Sequence, residues 1–325
     1  MRVALDAMGG DKAPEVNLQG ARDAYRELGI EVMLVGKPEV VGPQEGIQEG
    51  VQAVHASQVI EMHDHPAAAV RSKRDSSIVV GLRLVKDGRA DAFVSAGNSG
   101  AVMAAALLVL GRPPGIDRPA IGTVIPTLEG RTLMLDAGAN ADVRPHQLLQ
   151  FAQMGSAYVS ALSDTKAATI GLLSNGEEET KGNALTLEAH ALLKASGLNF
   201  IGNVEGRDIL RGTADVVVTD GFTGNIALKS IEGTAELLQQ VLRQEVTRGL
   251  RNKLAARALR PAFRRVAARL DYSEVGGAPL LGVNGPVFIS HGRSNANAIK
   301  NALRVASEAA THDMVGAISK AVPPD

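Results

Sequence analysis

The chain has no cysteine among its 325 residues. That excludes disulfides, thiolate metal sites and a cysteine nucleophile, and it suits a reducing cytoplasm. Neither sign of charge is in excess. The net charge is −1, so no global field points to a nucleic-acid partner. No apolar run is long enough to span a bilayer. The longest, Ala101–Leu110, predicts a buried helix. The chain opens directly on a strand-like segment, MRVALDAMGG, so no signal peptide is expected. Several catalytic signatures are also missing. No G-x-G-x-x-G follows a strand, so the dinucleotide fingerprint is absent, as is a Walker A sequence. No G-x-S-x-G supplies a nucleophile elbow, and no histidine has an aspartate five positions on. His63-Asp64-His65 is read as a solvated loop rather than a metal cluster. Neither a metal nor a cofactor is expected.

What the chain does have is one unit, used repeatedly: a short apolar strand running into a loop of glycine, asparagine and aspartate. The clearest case is Ala214–Lys229, ADVVVTDGFTGNIALK. Val216, Val217 and Val218 predict a strand buried on both faces. Asp220, Gly221, Thr223 and Gly224 then lead into a helix. Equivalent loops follow strands at Asp6–Asp11, Ser95–Gly100, Asp136–Asn140, Ser174–Asn183 and Ser290–Asn295. Exposed backbone N–H groups at such strand ends form anion sites, for phosphate in particular, and open α/β sheets bind ligands at this edge.

The alternation of strands and helices predicts a mostly parallel, three-layer, Rossmann-like α/β fold. Strands are expected at 2–6, 31–35, 57–61, 91–95, 119–125, 132–136, 168–174, 199–202, 215–219 and 286–290. Helices are expected at 16–28, 77–87, 99–110, 146–162, 183–195, 223–258, 262–270 and 295–320. Gly36–Gly50 is read as a surface loop with a short helix. Residues 1–325 are read as one large α/β unit, with a protruding basic amphipathic hairpin at 230–272.

Ordered strings along nearly the whole chain resemble the bacterial phosphate acyltransferases. They are DAMGGDKAP at 6–14, SAGNSGA at 95–101, GIDRPAI at 115–121, LDAGAN at 135–140, GEEETKGN at 176–183, NFIGNVEGRDI at 199–209, DVVVTDGFTGN at 215–225, and GGAPLLG followed by SHGRSNANAIKNA at 276–302. Ser99 stands where threonine is common in that family, keeping the hydroxyl. The resemblance implies a fold similar to the phosphotransacetylases and the isocitrate dehydrogenase group. It implies transfer of a long acyl chain from acyl carrier protein to inorganic phosphate, giving acyl phosphate for glycerol-3-phosphate acylation in phospholipid synthesis. It further implies a homodimer, peripheral attachment to the inner face of the cell membrane, and the downstream glycerol-3-phosphate acyltransferase as a possible further partner. The residues accord with direct attack by a bound nucleophile, which needs positioning and donors for the tetrahedral oxyanion.

Within that chemistry Lys181 is the first candidate, holding phosphate or the developing oxyanion. Asn225 is the second, donating to the thioester carbonyl or to phosphate, with N-capping of its own helix as the competing role. Asn98 and Ser99 are expected donors at another helix start. The remaining substrate-binding candidates are Asp6, Gly9, Gly10, Asp11, Ser95, Gly97, Gly100, Asp136, Gly138, Asn140, Asn183, Asp220, Gly221, Thr223, Gly224 and His291. Asp6, Asp11, Asp136 and Asp220 repel phosphate, so they are expected to orient loop amides and basic side chains or to cap helices. His291 is either an acid–base group or a loop brace.

A basic run reaches from Arg243 to Arg269 with Glu245 as its one acid. Apolar residues interleave at helical spacing, and Pro261 is expected to separate two helical segments. Arg251, Lys253, Leu254, Arg257, Arg260, Phe263 and Arg264 are the expected contacts to an anionic membrane surface or to the acidic carrier protein. Dimer packing of the apolar face is the alternative. Three other functions stay open: a short-chain phosphate acetyl- or butyryltransferase using coenzyme A, a non-catalytic membrane scaffold, and a divalent-metal dehydrogenase of the same fold.

Overall fold

The computed structural model describes every residue except 44–46, 49, 129, 164, 166, 271–275 and 325; at 47–48, 250–251, 253–254, 264 and 267–270 it describes the backbone alone. The first half of the chain runs β1 (Arg2–Asp6), α1 (Glu15–Leu28), β2 (Glu31–Gly36), α2 (Pro38–Val41), β3 (Ile47–Gln48), β4 (Val51–His55), α3 (Pro66–Ser72), α4 (Ser77–Lys86), β5 (Ala92–Ser95) and α5 (Ser99–Val109). Next come β6 (Ala120–Pro126), β7 (Arg131–Leu135), α6 (Pro145–Leu162), β8 (Ile170–Leu173), α7 (Ala184–Ala195), β9 (Phe200–Val204), α8 (Gly206–Arg211) and β10 (Val216–Val218). The chain ends with α9 (Gly221–Val246), α10 (Leu250–Leu270), β11 (Ala278–Leu281), β12 (Val287–Ile289), α11 (Ala296–Thr311) and α12 (Met314–Ala321).

The described strands form one 12-stranded sheet in the order β3-β4-β2-β1-β5-β12-β11-β6-β7-β10-β8-β9. Period-2 alternation decides what each face carries. Val3, Leu5, Leu133, Leu135, Val216 and Val218 point into one core, shared with Ala21 of α1, Phe151 of α6, Leu193 of α7, Ile299 of α11 and Ile318 of α12. The alternate residues point the other way, and on that face the core is divided. Ala4 and Phe93 pack with α3, α4 and α5. Met134 and Val217 pack with Ile209 of α8 and with Ala227, Leu228 and Ile231 of α9. Helices on both faces make three layers.

Two parallel groups meet at the middle of the sheet. β1, β5 and β12 run together, as do β7, β10 and β8. Between them β11 and β6 pair antiparallel, so the two groups run in opposite senses. β6 pairs with β11 through Ala120 and Ile121 and with β7 through Gly122–Pro126. The groups are therefore staggered, and the carboxyl ends of β12 and β7 both reach this junction. The strand-end loops read from the sequence thus belong to two opposed edges, which approach one another at this junction through the ends of β12 and β7.

The structure corrects several boundaries. No strand occupies 57–61: Gln58 makes an isolated bridge to Ser76, and the strand lies earlier, at β4, where Ala53 and Val54 are buried. β11 lies outside the expected strands, and Pro279 sits in it. Pro279 falls where β11 passes from partner β12 to partner β6, which makes a missing ladder donor tolerable. Pro261 does not separate the basic helices. It lies inside α10, and the break falls at 247–249, where Gly249 takes φ 82° and ends α9. The single helix read at 295–320 is broken by Asp313, whose carboxylate caps Gly316 N at 3.1 Å. α5 buries Ala101, Val102, Ala105 and Ala106, but Leu108 on its outer face stays 65% exposed.

Candidate active site

Asp136 directly follows β7 and is fully buried at the junction. Its Oδ1 accepts from Ile121 N at 3.1 Å, Gly138 N at 3.1 Å and Ala139 N at 3.0 Å. Its Oδ2 accepts from Asn140 N at 2.7 Å and Asn140 Nδ2 at 2.9 Å. Burial pushes this carboxyl above the ordinary carboxylate range, while these donors pull it back. Asn140 Nδ2 also donates to Pro119 O at 2.8 Å. One carboxylate thus ties the loop after β7 to the start of β6.

The first turn of α9 lies directly on this loop. A Cβ on Gly221 would fall 2.6 Å from Asn140 O and 2.8 Å from Asp136 Oδ2, and one on Gly224 would collide with Asp136 O. The glycines are needed for close approach of backbone to backbone. Asp220 caps the helix, accepting from Thr223 N at 2.8 Å and Thr223 Oγ1 at 2.7 Å. The capping role is therefore Asp220's. Asn225, one turn on and exposed, lies against Gly138, whose φ is 138°.

Lys181 stands on the loop after β8, the strand beside β10, so Lys181 and Asn225 occupy neighbouring strand ends of one parallel group. The loop is braced on its own acids. Glu177 and Glu205 hold Arg207 at 3.2 and 2.7 Å, and Glu179 holds Lys194 at 2.7 Å. Lys181 N donates to Glu178 O at 3.0 Å. Among the described residues no carboxylate pairs with the Lys181 ammonium. Asn183 caps α7 by accepting from Thr186 N at 3.0 Å. The carboxylates of Glu177, Glu205 and Asp208 lie close enough to share a cation, but Arg207 already bridges two of them.

The opposite edge is built the same way around Asp6. Its buried carboxyl, pushed up by burial, accepts from Ser95 Oγ at 2.7 Å and Met8 N at 3.0 Å. Gly97 N donates to Ser95 Oγ at 3.0 Å. A Cβ on Gly9 would sit 2.5 Å from Gly97 N, so the loops after β1 and β5 touch. Gly10 faces Gly292 O, and Asp11 N donates to Gly292 O at 2.8 Å. Asn98 caps α5 through Ala101 N at 3.0 Å, and its Nδ2 lies on the carbonyls of Glu61, Met62 and Asp64. Its amide is spent on the loop. Ser99 is exposed, and Gly100 packs against Pro66. His291 Nδ1 accepts from Arg293 N at 3.1 Å. Burial, and then the nearby Lys229, hold His291 below the ordinary imidazole range.

α9 joins the two edges. It starts on the Asp136 loop, passes His291 at Lys229 and Glu232, and pairs Glu236 with Arg293 of the β12 loop at 3.2 Å. It then continues into α10, where Arg257 and Arg260 are exposed and Phe263 is 41% exposed. The side chains of Arg251, Lys253, Leu254 and Arg264 lie outside the described residues. Among the described residues no helix is long and apolar enough to cross a membrane.

Sequence reasoning missed three polar groups. Asn17 is buried in α1, with Nδ2 on the carbonyls of Asp6, Ala7 and Gly9. The others are Glu236, and Asn203 on β9. An amide at an otherwise apolar, core-facing position was the available signal for Asn17.

The family described as Fatty acid synthesis protein matches residues 1–316. The phosphate acyltransferase of Heliobacterium modesticaldum is 51% identical over 328 residues, covering 99% of this chain and 98% of that protein. That of Desulfitobacterium hafniense (strain DSM 10664 / DCB-2) is 53% identical over 327 residues, with the same coverage. Among solved structures, the EutD phosphotransacetylase from Staphylococcus aureus superposes with a TM-score of 0.60 at 16% identity, covering 95% of this chain and 94% of that one. This last likeness is one of fold.

The hub role of Asp136 is checked by urea unfolding. Asp136→Ala strands several buried donors and is expected to cost at least about 3 kcal/mol. Asp220→Ala removes an exposed helix cap, worth about 1 kcal/mol. Equal costs would contradict the hub.

Proposed function

The chain belongs to the phosphate acyltransferase family, and from that premise we propose that it moves a long acyl chain from the thioester of acyl carrier protein onto inorganic phosphate. It is an acyltransferase of fatty-acid and phospholipid synthesis. A phosphate oxygen attacks the thioester carbonyl carbon, a tetrahedral oxyanion forms, and the C–S bond breaks as the carbonyl is restored. The carrier leaves as thiolate and takes a proton from solvent. The product is a mixed anhydride, acyl phosphate.

One observation carries the assignment of groups: Lys181 is a cation without a carboxylate partner among the described residues, on a loop where Glu177 and Glu179 are matched to Arg207 and Lys194. A fixed, uncompensated positive charge favours a bound phosphate and the charge that develops on it. Asn225, on the next strand end, donates to the thioester carbonyl or to phosphate. The aspartates hold the loops: Asp136 and Asp6 order backbone amides, and Asp220 caps α9. Gly138 lies beside Asn225 at one edge, the amides of Ser99 and Gly100 belong to the other, and Asn183 and His291 flank them.

Incubation with long-chain acyl carrier protein is expected to yield acyl phosphate only when phosphate is present, and acetyl-coenzyme A is expected to be a poor donor. Lys181→Ala is expected to lower turnover by about 10²-fold or more, with stability changed by about 0.5 kcal/mol or less. Turnover without phosphate would sink the reaction class. Normal turnover in a folded Lys181→Ala protein would remove Lys181 from the site.

The hairpin supports a proposal about place. Leu259, Phe263 and Val266 are exposed beside Arg257 and Arg260. This pattern fits an anionic membrane surface or the acidic carrier, with a homodimer as the working unit. An enzyme held on the inner face of the membrane delivers its reactive product to glycerol-3-phosphate acyltransferase there. Each basic residue near an anionic surface contributes about 1 kcal/mol, so Arg257→Glu with Arg260→Glu is expected to weaken vesicle binding at least about tenfold. Light scattering checks that the dimer is intact. Unchanged vesicle binding by that dimer refutes the membrane contact.

A further inference from the structure

We infer that Asn203, oriented by His190, is a positioning residue for Lys181. The inference rests on the assignment of Lys181 to the reacting groups. Both side chains are nearly buried, His190 at 6% and Asn203 at 7% exposure, and neither touches the strand-end loops after β7 and β10. What Asn203 touches is the backbone of the Lys181 loop. Asn203 Nδ2 donates to Glu178 O at 2.8 Å, and the same oxygen accepts from Lys181 N at 3.0 Å. One carbonyl oxygen therefore carries both the amide of Lys181 and the side chain that fixes it.

The orientation of the Asn203 amide is itself determined. With Nδ2 committed to Glu178 O, Oδ1 faces His190 Nδ1 at 2.9 Å. An amide oxygen only accepts, so His190 Nδ1 carries a proton and donates. The imidazole has little freedom to turn away. Its ring meets Phe200 edge-on at 5.0 Å and 74°, and Nε2 lies 3.9 Å from Glu179 Oε1. Glu179 is in turn held by Lys194 at 2.7 Å. The stretch Glu177-Glu178-Glu179 is thus pinned at each residue: by Arg207, by Asn203, and by Lys194.

A second feature points the same way. β9 pairs Phe200 with Ile170 but Gly202 with Gly171, so Ile201 is an extra residue. Gly202 takes φ 104° there. The extra residue places Asn203 opposite Leu172, on the face that Leu172 shares with Leu193 of α7. Without it, alternation would turn Asn203 to the other face, away from His190. Bulges re-aim side chains in this way, and the residue re-aimed here is the one that reaches the Lys181 loop.

The test uses the full-length protein, long-chain acyl carrier protein and inorganic phosphate. Asn203→Leu is expected to lower kcat by about 10- to 100-fold, the loss typical of a catalytic group misplaced by about an ångström. In a Lys181→Ala background Asn203→Leu is expected to add no further loss, because both changes act through one group. His190→Leu is expected to be slow, and His190→Asn, which restores a donor near the Nδ1 position, is expected to recover most of the rate. Urea unfolding establishes which variants fold, and if Asn203→Leu does not, the two His190 variants decide. Wild-type turnover in folded Asn203→Leu, full additivity with Lys181→Ala, or equal rates in the two His190 variants overturns the inference. Wild-type turnover in Lys181→Ala alone overturns instead the assignment on which it rests.

Discussion

The buried Asp136 carboxylate is the constraint on which the architecture of this site depends. It sits where β6 exchanges β11 for β7, the point at which two opposed parallel groups become one sheet. Its oxygens take up donors from the start of β6 and from the loop after β7. A buried carboxylate is costly without such partners, and meeting that requirement fixes the loop. The fixed loop is the floor on which Gly221 and Gly224 seat α9. α9 then carries Asn225 at one edge of the junction and meets the β12 loop at the other through Glu236 and Arg293. Removing the carboxylate therefore disturbs the sheet junction, the helix start and the spacing of the two edges together.

Charge is balanced locally, not merely in total. A chain of net charge −1 still presents a lysine without a carboxylate partner among the described residues, on a loop where Glu177 and Glu179 are committed to Arg207 and Lys194. Buried aspartates serve backbone amides, and exposed glutamates serve Arg207 and Lys194. The same separation appears at large scale. Basic residues collect on α10, away from the loops after β7, β8 and β10, so one charged region can serve chemistry and the other a surface or a partner.

Most of the fold was legible because its strands are buried on both faces and read as short apolar runs closed by glycine and aspartate. Strand ends such as Asp6, Asp136 and Asp220 were visible for the same reason. Elements that depend on tertiary pairing were not. β11 carries Pro279 and is a strand only because its partner changes there. Pro261 stops many helices but lies within this one, and Gly249 makes the break. The opposition of the two parallel groups was also illegible, since strand direction is set by pairing and not by local pattern. At the site, Lys181 and Asn225 stood out through motif strings. Asn203 and His190 did not, because a one-residue bulge at Ile201 decides where Asn203 points, and no periodicity encodes that.

The account centres on phosphate held by Lys181 at the edge shared with Asn225. The most direct measurement is a crystal structure of the protein with inorganic phosphate bound. The account predicts phosphate with an oxygen about 3 Å from Lys181 Nζ, on the strand-end loops after β8 and β10. Phosphate seated instead among the loops after β1 and β5, with Lys181 turned to solvent, would contradict it.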